Sequence, residues 1–203
     1  MPPILHLVRH AEGWHNVADH GEDIHDPFLT PHGEEQCKNL RENFPYPNDV
    51  ELLLAIVDRG QQILLMPLAQ EASSTQMDTG STVEQIKEAF GDLVDTHRAA
   101  EVHPHWTKNV GRFGPDAEAQ NGRAKELRQF IMARPEKHVV LVSHGSFAHA
   151  ITGNFTKDGK ETTRMWENAE CRTYTFDESS VDKAKIIETE DSKGRRPSLS
   201  LND

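Results

Sequence analysis

Cysteine is scarce in this 203-residue chain: Cys37 and Cys171 lie far apart and show no metal-ligand spacing. That argues against a disulfide framework or a cysteine zinc site and reads as two reduced thiols of an intracellular protein. Hydrophobic residues make up only 35% of the chain, which predicts a modest core with much polar loop. No apolar run approaches the roughly 20 residues of a membrane-spanning helix. The opening Met1-Pro2-Pro3-Ile4 lacks the basic start and long apolar stretch of a secretory signal. Basic charge is short as well. A net charge of -11 disfavours a nucleic-acid groove or an anionic membrane surface as partner. A small anionic substrate stays open, because it needs only a local cluster of cations. The expectation is a soluble, cytoplasmic protein with no cofactor implied and its oligomeric state undetermined.

What is present is an alternation of short apolar runs and helical patterns. Ile4–Val8, Val50–Ala55, Ile63–Met66 and His138–Val142 have the length of buried strands and are apolar on both faces, which suits a parallel sheet covered by helices. Thr30-Pro31 supplies a helix start, followed by Cys37, Leu40 and Phe44 at helical spacing and a stop at Pro45. Ser81 with Glu84 has the capping-box form. Asp116 to Arg134 carries Ala124, Leu127 and Ile131 on one face. Together these predict a single α/β domain over residues 1–190 with a mostly parallel sheet flanked by helices. Residues 191–203, with Lys193-Gly194-Arg195-Arg196-Pro197-Ser198, read as a polar, disordered tail.

Ligands in open α/β sheets bind beyond the carboxyl ends of the strands. Two strands here deliver a histidine to that edge: Ile4–Val8 runs into Arg9-His10, and Val139–Val142 runs into Ser143-His144-Gly145. A histidine after one strand is usually structural; two in one small domain suggest phosphoryl transfer. A neutral imidazole can attack phosphorus and hold the group covalently. Arg9 and a second imidazole can neutralise the transferring oxygens. A carboxylic acid must protonate the leaving oxygen and later activate water, and Glu71 follows a third strand-like run.

These residues resemble the histidine phosphatase superfamily, in its phosphoglycerate-mutase-like, notably fungal, branch. The resemblance rests on Leu7-Val8-Arg9-His10-Ala11-Glu12-Gly13-Trp14-His15-Asn16, on Asp26-Pro27-Phe28-Leu29-Thr30-Pro31-His32-Gly33, and on Leu68-Ala69-Gln70-Glu71 with Asp78-Thr79-Gly80-Ser81. Val142-Ser143-His144-Gly145 and Trp166-Glu167-Asn168-Ala169-Glu170-Cys171-Arg172, a later strand of that branch, complete it. By that resemblance His10 is the phosphate-accepting nucleophile, Glu71 the proton donor, and Arg9, Asn16, His144 and Gly145 the phosphate-binding group. The implied partner is a small phosphorylated substrate or inorganic phosphate.

One departure stands out. The family's second strand ends in an "S-P-L-x-R-(A/T)-x-Q-T" motif that supplies a second phosphate-binding arginine and a crossover helix, and no such motif exists in this chain. Parallel strands need a crossover of about a dozen residues or more, so Ile56 to Gln62 predicts a hairpin-like reversal, a displaced strand or disorder. Arg59 reads as a turn residue; Arg112, Arg123 and Arg128 have no positional support. A metal site is disfavoured. His10, His15, His20 and His25 recur every five residues, a step that turns each side chain about 140° on a helix and scatters them. Residues Val94 to Pro115 read as a lid or pocket wall. Two functions remain: a phosphomonoesterase (less readily a mutase), or a degenerate relative that binds a phosphorylated ligand or a protein or is recruited to a different reaction.

Overall fold

The computed structural model describes residues 1–54, 63–71, 73–97, 99 and 106–196. Seven strands form one sheet: β1 (Ile4–Arg9), β2 (Leu52–Leu54), β3 (Ile63–Leu64), β4 (Val94–Asp95), β5 (His138–Ser143), β6 (Cys171–Phe176) and β7 (Ile186–Glu188). Their order is β4-β3-β2-β5-β1-β6-β7. The five strands from β4 to β1 are mutually parallel, and β6 and β7 close the far side antiparallel. This is the α/β architecture expected from the alternating pattern.

β1 and β5 sit side by side at the centre, paired from Ile4↔His138 through Arg9↔Ser143. That register matters for the site: the residues following the last pair are His10 and His144, delivered to one edge at one level. Leu5, Leu7, Val139 and Leu141 are wholly buried on the face covered by α4 (Ala117–Met132) and α5 (Gly145–Ile151). Those helices contribute Ala124, Leu127, Ile131, Phe147 and Ile151, also without exposure. The Asp116 carboxylate caps α4 by accepting from Ala119 N at 2.8 Å, so the expected three-residue stripe is the buried stripe.

Helix α2 (Pro31–Asn43) starts where expected, with Thr30 Oγ1 accepting from Gly33 N at 3.0 Å. Gly33 has no room for a side chain: a Cβ there would lie 2.1 Å from the Glu12 carbonyl oxygen. The rest of the helix is largely exposed, and Cys37 faces solvent. α3 (Val83–Phe90) begins one residue later than read from the sequence. Thr82 is its cap, exchanging hydrogen bonds with Gln85, because the Thr82 hydroxyl rather than that of Ser81 meets the third helical N–H.

Three other expectations need correction. β2 and β3 do not form a hairpin. They pair in parallel, Leu53 with Ile63 and Leu54 with Leu64; the link between them, including Arg59, lies outside the described residues. The strand expected within Trp166–Arg172 begins only at Cys171, since Glu170 N bonds back to Glu167 O at 3.0 Å and closes a turn. The polar tail does not begin at 191. α6 (Glu190–Arg195) continues the fold, capped by Thr189 and anchored by buried Ser192, whose hydroxyl accepts from Thr173 N at 2.9 Å. Residues 197–203 are outside the described set.

With two- and three-residue strands, the β2–β3 region holds few ladder bonds. Amide exchange at Leu52–Leu54 and Ile63–Leu64 is therefore expected to be faster than in β1 and β5. Equal protection, measured by hydrogen exchange, would show a packing that these short ladders do not explain.

Candidate active site

The edge beyond β1 and β5 gathers three imidazoles. His10 and His144 have ring centroids 5.2 Å apart, and His15 lies 5.2 Å from His10. The nucleophile candidate is fixed in orientation. His10 Nδ1 lies 2.8 Å from the Ala11 carbonyl oxygen; a carbonyl only accepts, so Nδ1 carries the proton and the Nε2 lone pair is left available for attack. The His10 backbone is clamped too, its N donating to Ser143 O at 2.9 Å and its O accepting from Asn168 Nδ2 at 3.1 Å.

Burial lowers the His10 pKa to about 4; the Ala11 hydrogen bond opposes this, while His15 and Arg9 add to it. Burial also takes His144 well below its ordinary value, helped by His10, Arg123, His15 and Arg9. His15 moves in the same direction. The site at neutral pH therefore holds uncharged imidazoles, as nucleophilic attack on phosphorus requires.

Arg9, the last residue of β1, donates through Nη1 to the Trp166 carbonyl. Its guanidinium runs along Gly145, where a Cβ would sit 3.3 Å from Arg9 Nε and 3.0 Å from Met165 Sδ. Glycine at 145 thus lets the cation lie against the start of α5. The Gly145 N–H makes no hydrogen bond among the described residues. Asn16 is exposed, and its Oδ1 accepts from Gly13 N at 3.0 Å, which turns the α1 helix (Trp14–Val17) beside His10.

Glu71 is half-buried and reaches α5: Oε2 accepts from Ser146 N at 3.1 Å and Oε1 from Phe147 N at 3.0 Å. The carboxylate thus caps the helix that starts beside His144. Its loop is braced from the 94–115 region, expected to be a lid or wall. There Gln70 Nε2 donates to Asn109 Oδ1 at 2.7 Å, and Asn109 Nδ2 donates to Ser73 O and Asp78 O at 2.7 and 2.9 Å. Trp106 and Phe113 of that region are core residues.

The structure thus brings together Arg9, His10, Asn16, Glu71, His144 and Gly145. It adds two residues that the sequence reading passed over. His15 was set aside with the five-residue histidine series, because helical geometry was applied to residues that a turn brings together. Arg123 was one of three arginines without positional support. Arg112 pairs with Glu126 at the surface, and Arg128 caps α5 through Ala150 O and Ile151 O. Arg123 is buried beside the site and donates to Gln70 O at 2.9 Å. No group of three or more acidic, histidine or cysteine side chains among the described residues is placed to hold a metal. No helix among them is long and apolar enough to cross a membrane.

The neutral histidines also set an acid limit on stability. His6, fully buried on β1, is held at about 4 by burial, then by His138 and Arg195. Both His6 and His10 have folded pKa values below the unfolded value near 6.5. The unfolded chain therefore binds more protons between pH 6.5 and 4, and stability falls as pH drops through that window. Each contributes a loss of about 2 kcal/mol between pH 7 and pH 5. Urea unfolding at the two pH values should show it, and equal midpoints would mean that these histidines accept protons in the native state.

Glu71→Gln keeps one acceptor for α5 but removes the transferable proton. Turnover should fall by roughly 10²–10⁴ while phosphate binding changes little. Equal loss of both would place Glu71 in a structural role only.

Comparison with known proteins shows the family and the fold. The family model for the histidine phosphatase superfamily (branch 1) matches residues 5–186. A phosphoglycerate mutase-like protein of Arabidopsis thaliana is 28% identical over 226 residues, covering 85% of this chain and 83% of the relative. Since 85% of 203 residues falls short of 226, the alignment crosses positions where this chain has no residue. Among solved structures, YhfR of Bacillus stearothermophilus aligns with a TM-score of 0.59 at 18% identity, over 92% of this chain and 95% of its own. A phosphoserine phosphatase mutant from Entamoeba histolytica, in complex with phosphoserine, aligns at 0.53 and 17%, over 93% and 95%. With nine-tenths of its length matched by the family model and the fold shared with these structures, the chain belongs to the histidine phosphatase superfamily, branch 1.

Proposed function

We propose that this protein hydrolyses a small phosphomonoester through a phosphohistidine at His10. The observation that carries the reading is the His10 Nδ1 to Ala11 O contact at 2.8 Å with the His144 ring 5.2 Å away: one imidazole is aimed and neutral, and a second stands beside it. In the first step Nε2 of His10 attacks phosphorus, the bond to the ester oxygen breaks, and Glu71 gives that oxygen its proton. In the second, Glu71 takes a proton from water, which attacks phosphorus and releases phosphate and His10. Arg9, Asn16, His144 and Gly145 N–H hold the phosphoryl oxygens. Phosphoserine bound to a protein of the same fold fits a small substrate of this kind.

Slow turnover is expected by this route, because the sequence holds no "S-P-L-x-R-(A/T)-x-Q-T" segment after β2. The test is phosphate release from p-nitrophenyl phosphate together with binding of inorganic phosphate. The expected result is binding with a rate far below the enzyme median of about 10 s⁻¹. Binding with no release at all favours the second reading, a relative that holds a phosphorylated ligand without turning it over.

A further inference from the structure

Arg123, which carries no positional signal in the sequence, occupies an unusual position. It is 2% exposed and lies on α4 behind the loop that carries Glu71. Its guanidinium stacks on Phe147 with the carbon 4.0 Å from the ring centroid, and Phe113 lies at 5.8 Å. Nη1 donates to the carbonyl of Gln70, the residue before Glu71, while Nε and Nη2 find no hydrogen-bond partner among the described residues. Phe147 is also one of the two residues whose N–H groups hold the Glu71 carboxylate. One cation thus grips the acid loop by its backbone and the capped helix by its aromatic face.

We propose that Arg123 is a positioning residue for Glu71, fixing the acid loop against α5 and keeping the carboxylate ionised while the site is empty. A buried cation is costly without a countercharge. Glu71 is the carboxylate that acts electrostatically on Arg123, and Arg112, itself paired with Glu126, opposes it. Facing Glu71 from the other elements are Arg9 of β1 and the Ser146 and Phe147 N–H groups of α5, all favouring the anion. His10, His15 and His144 complete the cluster and are uncharged at neutral pH. A phosphate dianion arriving against Arg9 and His144 draws on the same positive field, so Glu71 gains its proton when substrate binds. Arg123 thereby supplies a second permanent cation to the site without touching the phosphoryl group.

This inference rests on the assignment of Glu71 as proton donor, and the experiment separates the two. Wild type, Arg123→Met and Arg123→Lys are compared after circular dichroism confirms the fold. The pH dependence of kcat/KM for p-nitrophenyl phosphate is measured, and the Glu71 carboxyl is followed by carbon NMR titration. With a protonated Glu71 needed for the first step, losing the cation moves the basic limb and the titration midpoint upward together. The expected displacement is at least about 1 pH unit, on the scale of an opposite charge nearby. Lysine keeps the charge but not the forked grip: limb and midpoint stay near wild type while the rate falls. Unmoved limb and midpoint in Arg123→Met, with lower rate alone, overturn the proposal in favour of a structural arginine. If the midpoint moves but hydrolysis does not depend on Glu71, the coupling holds and the proton-donor assignment fails. Should the methionine variant not fold, the lysine variant decides: a limb displaced upward with charge retained overturns the proposal.

Discussion

His10→Ala should reduce phosphate release from p-nitrophenyl phosphate to the uncatalysed background. In the proposed mechanism the side chain removed is the group that forms the covalent bond, so no residual pathway retains the two-step chemistry. The scale for losing a nucleophile in a well-studied protease is about 10⁶ in kcat. His15 is the obvious competitor, lying 5.2 Å from His10 in ring centroid and also neutral. It lacks the carbonyl contact that aims His10: its Nδ1 is buried with no hydrogen-bond partner among the described residues, so no such contact sets its tautomer. Residual turnover in His10→Ala that disappears in the double variant with His15→Ala would transfer the nucleophile's role to His15.

The second large effect is a gain. Inserting a strand-end segment that carries the "S-P-L-R-R-T" pattern, about twenty residues long to suit a parallel crossover, after Ala55 should raise kcat by roughly 10³–10⁵, the worth of a transition-state arginine elsewhere. Arginine is needed rather than lysine, since its planar fork meets two phosphoryl oxygens at once. Arg123 does not remove the need: its Nη1 is committed to Gln70 O and its ring-stacked guanidinium is 2% exposed. An insertion with lysine in place of arginine is the control for restored packing alone. If the unmodified chain already turns over near the enzyme median of about 10 s⁻¹, another cation has taken the arginine's place.

The parts of the fold that local pattern controls were legible in the sequence. β1 and β5 are runs of apolar residues buried on both sides, and the α4 stripe of Ala124, Leu127 and Ile131 is a helical repeat with a capping aspartate. Their pairing then fixes where His10 and His144 stand, which is why the two strand-end motifs were enough to expect these imidazoles side by side. What escaped depends on contacts distant in sequence. α6 is polar throughout and exists because Ser192 and Arg195 bond to Thr173 on β6. Arg123 has no local signal, since its position relative to Glu71 is set by α4 packing under a loop fifty residues earlier. His15 was misjudged because its approach to His10 comes from a turn closed by Gly13 and Asn16, not from helical spacing. β2 and β3 keep a parallel order where the short link suggested a reversal, a displaced strand or disorder; β2 pairs with central β5, Leu53 with Val140, and β3 lines up on β2, Ile63 with Leu53.

The most direct test is to trap the intermediate. The protein is mixed with p-nitrophenyl phosphate, quenched in base within the first turnovers, and digested for mass spectrometry, conditions under which phosphohistidine survives. A phosphoryl group on the peptide that carries Arg9-His10-Ala11, assigned to His10 and lost in His10→Ala, is the predicted result. Hydrolysis proceeding with no phosphate on His10, or with the label on His144 or His15, would contradict the mechanism.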